Sequence, residues 1–403
     1  MVNSLCFKRK IFTAKSEETT IYLWNDIVGF LVWFVAGGVA TACGVGGGGI
    51  YVPLGIILLR FAPKPASGLS QCSIFGASLG GLILNLKATH PKSDIRDTAS
   101  TMTDEEYLAS GGKFYTRPRI DYDMALFLAP MEMAGAVLGV MIQKVLPNWL
   151  YLLTAGCILG FTAYKTFGKY KSASRKEKEA KLKAIQEAAD AKEVEDANTS
   201  DEDTSDEKKV DENLPVAVSI SENEESNSDD IEKLNAIEKR KELLEIDSIQ
   251  YPKGKLWALV VLWIGLVIIT FMKGGKGVDS LVGITCESPW YYVLIACQFI
   301  WTLGFAAYYG YKLLVRQRER DAVDYPFLSY DVTWDNQKLR FYSSFTFIAG
   351  VVAGLIGIGG GMVLGPLMLI MGIHPVVSSA TTATMIVLTS SSVAVLFITS
   401  GFV

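Results

Sequence analysis

Several signatures that would make this chain a nucleotide-driven machine, a secreted disulfide scaffold or a soluble dehydrogenase are missing. No G-x-x-x-x-G-K-[ST] run occurs in the 403 residues, so ATP-driven work by this chain alone has no support. The six cysteines are scattered. Cys43, Cys72, Cys157 and Cys297 lie in or beside apolar segments, Cys6 is near the start and Cys286 stands alone in a loop, which gives no disulfide framework. The opening stretch SLCFKRKIFTAKSEETT puts charges and hydroxyls where the apolar centre of a leader peptide belongs, so no cleavable signal is expected. Residues 44–49 formally satisfy G-x-G-x-x-G, but no acid lies near residue 69 and a long apolar segment precedes the glycines, so the dinucleotide reading fails on context. No metal, cofactor or nucleic acid is expected.

What the chain has is apolar length. Half of its residues are hydrophobic and the mean hydropathy is +0.28, although one long central stretch is almost wholly charged and polar. The remainder is therefore strongly apolar, and this places the chain with integral, multi-pass membrane proteins in contact with a lipid bilayer. A crossing needs about 20 apolar residues. Candidates run over 22–61, 67–87, 122–143, 149–168, 256–272, 290–314, 342–371 and 377–402. The first and seventh are each interrupted by glycines, and counting each as one crossing predicts an all-α polytopic protein of about eight transmembrane segments.

The interruptions are copies of one another. Residues 36–54 read AGGVATACGVGGGGIYVPL and residues 349–367 read AGVVAGLIGIGGGMVLGPL. Gly44, Gly46, Gly47 and Gly48 fall on Gly357, Gly359, Gly360 and Gly361, and Pro53 falls on Pro366. Each copy continues into a proline-led segment rich in small polar residues, PASGLSQCSIFGAS in the first and HPVVSSATTATMIVLTSS in the second. Broken helices at corresponding places of two repeats point to a transporter's substrate site. A glycine break at membrane depth leaves unpaired backbone N–H groups at the start of the resumed helix, where the macrodipole favours an anion. Missing Cβ atoms let an oxyanion approach those amides. The candidate binding set is Gly46, Gly47, Gly48, Gly49, Ser70, Gln71, Ser73, Gly359, Gly360, Gly361, Ser378, Thr381 and Thr382. Glycines that only permit close helix packing, and hydroxyls bonded back to their own helix, are the competing readings.

This doubled pattern, GVGGGGIYVPL with PASGLSQCS and GIGGGMVLGPL with HPVVSSATTATM, resembles the TauE/SafE sulfite exporter family of membrane permeases. The resemblance implies movement of a small sulfur oxyanion or organosulfonate, in either direction. The family's Thr-Ser pair after the proline-led turn is approximated by Thr381-Thr382, whereas Gln71-Cys72 stands there in the first half.

Glu132 is an ionisable group deep in an apolar segment, a placement that costs at least about 2.5 kcal/mol for the charged form. It is a proton-coupling candidate, with a hydrogen-bonded structural glutamate as the alternative. Asp26 reads as interfacial, and His374 as a helix cap. Residues 169–253 form a charged linker, largely disordered with short helices, that separates the first transmembrane repeat (22–168) from two further segments and a loop (254–341) and from the start of a second repeat (342–403). Lysine and arginine are concentrated in the tail 1–21, the loop 88–121, the linker and the loop 312–341, which predicts all four on the cytoplasmic side. The count also gives the two repeats the same orientation, which sits awkwardly with an inverted repeat and leaves parallel or inverted symmetry open, and the second repeat, which ends two spans early, reads as truncated at its C-terminus. A membrane scaffold recruiting a cytoplasmic partner through the linker, and an anion channel, are the alternatives. Oligomeric state and the choice of membrane stay open.

Overall fold

A computed structural model describes residues 23–42, 47–91, 95, 113–161, positions 163, 164, 167, 171, 175 and 178, and residues 227–275, 277–284, 288–328 and 330–401. The tail 1–21, Gly46 and most of the linker, including Asn198, lie outside the described residues. The chain divides into two units, one formed by residues 1–152 with 232–403 and the other by residues 153–231. In the second unit little is described beyond the last part of an exposed apolar helix.

The described helices are α1 (Leu23–Ala42), α2 (Gly48–Ile57), α3 (Pro63–Leu86), α4 (Tyr122–Val145), α5 (Asn148–Phe161), α6 (Asn227–Ser248), α7 (Lys253–Lys273), α8 (Pro289–Ala322), α9 (Asn336–Ile356), α10 (Gly361–Ile370) and α11 (Pro375–Ser400). No strand occurs among the described residues, only the isolated bridges Thr89–Pro118 and Ile95–Tyr115. Among the described residues six helices are long and apolar enough to cross a bilayer: α3, α4, α7, α8, α9 and α11. The expected count of eight is not confirmed among the described residues. The described parts of α1 and α5 are shorter, and the two broken units do not run straight through.

Hydropathy measures depth but not direction, and both broken units reverse at the break. In the first, α1 and α2 lie antiparallel. Gly29 packs on Leu59, Gly55 faces Trp33, and Gly37 abuts the Tyr51 hydroxyl. In the second, α9 runs beside α4 in the same direction, then α10 returns. Gly360 at its start meets Glu132, and Leu364, Leu367 and Met368 pack with Met124, Phe127 and Leu128 near the beginning of α4. Helices α2 and α10 have ten residues each, about 15 Å of rise and so half of the roughly 30 Å of hydrocarbon. The α1–α2 hairpin opens where α4 ends, since α2 leads into the start of α3, whose Ser67 meets Gln143 of α4. The α9–α10 hairpin opens where α4 begins, next to Asp121. The equal orientation expected for the two units is therefore corrected, because the hairpins enter from opposite faces.

Helices α4 and α11 are the interior of the first unit. Of their apolar windows 78% is buried, against 22–39% in the other four crossing helices, whose remaining surface is apolar and suits lipid. Asp121 caps α4 by accepting the Met124 N–H at 3.0 Å. The α4–α9 contact is made of backbone. Gly135 and Gly139 of α4 abut the main chain of α9 at Phe347 and Val351, while Gly350 and Gly354 abut Glu132 and Ala136 of α4. Small residues four apart on both helices let the axes approach to this degree.

Three polar segments gather at the face where α4 begins. Helix α8, with 34 residues, rises about 51 Å, more than the hydrocarbon requires, and its last turns carry Arg316 and Arg320. Arg316 pairs with Asp123 at 2.5 Å and Arg320 with Asp247 at 2.6 Å. Lys255 reaches Asp123 at 2.8 Å. The end of α6 packs Leu243 and Leu244 against Ile95, Tyr115, Val323 and Tyr325, and Gln250 donates to Leu86 O and Ala88 O at 2.8 and 3.1 Å. The last part of the charged linker is thus a docked helix and turn.

Candidate functional site

The two glycine breaks meet. Gly47 holds a left-handed conformation, φ 79°, and its carbonyl accepts from Ile50 and Tyr51 at 2.9 and 3.0 Å, which starts α2. Gly48 then lies against the carbonyl and Cα of Ile358 in the second break, too close for any side chain. In that break Gly357 and Gly359 have φ 82° and 70°, and Gly360 O accepts from Val363 and Leu364 at 3.0 and 2.9 Å, which starts α10. Each short helix therefore presents its first N–H groups, those of Gly48 and Gly49 and of Gly361 and Met362, without intrahelical partners. The two N-termini arrive from opposite faces at one place inside the unit.

Glu132 lies at this place. It is fully buried, and its Oε1 sits directly against Gly360, so closely that a Cβ there would overlap it. Among the described residues neither carboxylate oxygen has a hydrogen-bond partner. The Thr389 hydroxyl is near enough to interact, yet it donates to Met385 O and Ile386 O at 3.1 and 3.3 Å. Donation to its own helix leaves the carboxylate facing the α10 N-terminus.

The polar residues of α3 are drawn to the other side of the break. Helix α9 ends at Gly357, and three side chains donate to its last carbonyls, those of Gly357 and Ile356, which lack a helical partner, and that of Ala353, which also accepts the Gly357 N–H at 2.9 Å. Ser70 Oγ donates to Gly357 O at 2.8 Å, Gln71 Nε2 to Ala353 O at 3.3 Å and Tyr151 Oη to Ile356 O at 3.0 Å. Gln143 Nε2 donates to Ser67 Oγ at 2.8 Å, and Ser67 donates to Lys64 O at 2.7 Å. Ser73 is elsewhere. It donates to Leu69 O and accepts from Trp33 Nε1 at 2.9 Å, on the wall of an open groove of about 1070 Å³ between α1, α2, α3 and the start of α11.

The α11 hydroxyls divide by level. Thr381 accepts the Asp121 N–H at 3.0 Å, Thr382 donates to Met368 Sδ at 3.3 Å and Ser378 donates to Gly365 O at 3.5 Å. All three lie toward the face where α4 begins, about two to three turns before Thr389. His374 caps α11 by accepting the Val376 N–H at 3.3 Å. It lies with its ring 6.1 Å from that of His90, beside a cavity of about 110 Å³ lined also by Asp121, Asp123, Lys255 and Arg320.

The structure thus brings together Gly48, Gly360 and Glu132 and sets Ser70 and Gln71 just behind them. Tyr151, Gln143 and Thr389 were not singled out from sequence. Tyr151 and Gln143 carry no local signal. Thr389 opens a Thr-Ser-Ser-Ser run in an apolar helix, which could have marked it.

No family model matches the chain, and no solved structure matches it. Among curated proteins it is similar to three of Arabidopsis thaliana. It is 30% identical to sulfite exporter TauE/SafE family protein 3 over 92% of this chain, 27% identical to family protein 2 over 98% and 26% identical to family protein 1 over 96%. It spans 65%, 74% and 73% of the lengths of these relatives. Similarity along nearly the whole chain, together with an all-helical fold and two glycine-broken hairpins, aligns it with membrane proteins of one kind: the chain is similar to proteins of the TauE/SafE sulfite exporter family.

Proposed function

We propose that this protein is a secondary transporter of a small anion, sulfite or an organosulfonate by likeness to its relatives, and that the anion binds where the α2 and α10 N-termini meet. The observation that carries this reading is the backbone contact of Gly48 with Ile358. It sets two helix N-termini, each worth about half a positive charge, on one point at membrane depth without a lysine or arginine. The binding set is Gly47, Gly48 and Gly49 with Gly359, Gly360 and Gly361. Ser70 and Gln71 hold the α9 carbonyls behind them, and Ser378, Thr381 and Thr382 belong to the path from one face. The hairpins are the two halves of an inverted repeat, the arrangement that lets a central site open alternately to either side. The arginine-rich face, with 88–121, 232–253 and 312–341, is cytoplasmic.

The test is uptake of labelled sulfite, sulfate and thiosulfate into vesicles reconstituted with the full chain. Gly47→Leu and Gly360→Leu are expected to insert and to lose flux, by at least about tenfold, because a branched side chain fills the space before the amides. Equal flux in both variants would leave the glycines as packing devices.

A further inference from the structure

Glu132 stands where an anion is expected, and its surroundings decide what that means. Among the described residues no charged side chain interacts with it. Helix α9 presents bare backbone at Gly350, α10 presents Gly360, and α11 presents Thr389, whose hydrogen is given to its own helix. Its neighbour Met133 packs with Leu262 and Leu266 of α7. The carboxylate is fully buried, has no hydrogen-bond partner among the described residues and abuts Gly360, the residue that caps a ten-residue half-helix.

We propose that the Glu132 carboxylate is a tethered competitor of the transported anion, so that the site admits an anion only when Glu132 carries a proton, and anion and proton travel together. This rests on the transporter reading above. The charge balance gives the reason. Two helix N-termini supply about one positive charge in all. An ionised Glu132 cancels it, and an added anion, singly or doubly charged, would then have none of its charge offset away from water, about one unit more of bare charge than with Glu132 neutral, which is costly. A proton taken from water by a Glu132 oxygen restores the positive field and removes the competing charge, and the anion enters. Deprotonation toward the other side returns the carboxylate to the α10 N-terminus and expels the anion. Because linkage is reciprocal, bound anion raises proton affinity by the same factor as a bound proton raises anion affinity.

The experiment measures binding of labelled sulfate and thiosulfate, whose charges stay constant from mildly acidic to mildly alkaline pH, to the full chain in lipid nanodiscs. Affinity is expected to rise about tenfold for each pH unit lowered on the alkaline side of the Glu132 titration, the slope of one linked proton. Glu132→Gln is expected to bind with no pH slope, and Glu132→Asp to regain it. In weakly buffered solution the unmodified protein should take up about one proton per sulfate bound, a readout that needs no variant to fold. A flat pH profile in the unmodified protein, an undiminished slope in Glu132→Gln, or a slope present in sodium but absent in choline overturns the proposal and leaves the transporter reading standing. Absence of binding by either anion at every pH overturns the transporter reading and this inference with it.

Discussion

At Gly357 the chain needs φ 82°, and a Cβ there would press into Ser67 of α3. A left-handed position and a tight contact coincide, so Gly357→Ala is expected to lower stability by about 1–3 kcal/mol, read as a fall in the midpoint of thermal unfolding in detergent. Ser70 tests a separate role. It donates to the Gly357 carbonyl from a fully buried position, and Ser70→Ala orphans that acceptor at a cost of about 1–3 kcal/mol. If the hydroxyl serves only that carbonyl, stability falls while anion affinity stays within about twofold; a larger affinity loss would make Ser70 a ligand. The glycines were legible in the sequence because a constant offset aligns them and because no other residue type suits a break at depth. The partners of Ser70 and Gln71 were not, because a hydroxyl in an apolar helix looks the same whether it serves a substrate, its own helix or a carbonyl nearly 290 positions away.

Between elements, the α4–α9 contact is the one most sensitive to a side chain. Gly135, Gly139, Gly350 and Gly354 all abut backbone, while Gly304 of α8 has open space where a Cβ would go. Gly135→Leu or Gly350→Leu is expected to destabilise by at least about 1–3 kcal/mol, the usual cost of overpacking, and Gly304→Leu to be neutral within about 0.5 kcal/mol. Comparing unfolding midpoints of the three variants checks this. On the polar face Arg117 meets Asp331 through two bonds of 2.9 and 3.0 Å and Tyr325 at 2.7 Å. Asp331, Tyr325 and Asp247 hold the Arg117 guanidinium above its ordinary pKa despite burial, so the arginine side of the pair stays charged. A double-mutant cycle on Arg117→Gln and Asp331→Asn is expected to return a coupling of about 1.5–3 kcal/mol. The segments themselves were legible from hydropathy, but their reversal was not. A helix running back from a break has the same composition as one running on, and only contacts such as Gly37 with Tyr51, or Leu364 with the start of α4, separate the two.

Across the whole molecule the arrangement of faces is open to direct measurement. In a cysteine-free background, cysteines at Phe61 and Leu281 are expected to react with an impermeant thiol reagent from one side, and cysteines at Lys113 and Met371 from the other. Phe61 and Met371 are the informative pair, each sitting just after its short helix. Reaction of both from the same side would restore straight-through crossings and remove the inverted repeat. A glycan on Asn198 in a eukaryotic host would place the linker on the wrong side.

The meeting of Gly48 with Ile358 also has a mechanical side. Two surfaces that touch only through main chain have no knobs to lift over one another, so relative sliding requires no rotamer change and meets little friction. In the proposed transporter this joint would act as a smooth bearing between the two breaks, and a methyl group added at Gly48, where Ile358 leaves no room for it, would act on it as a brake.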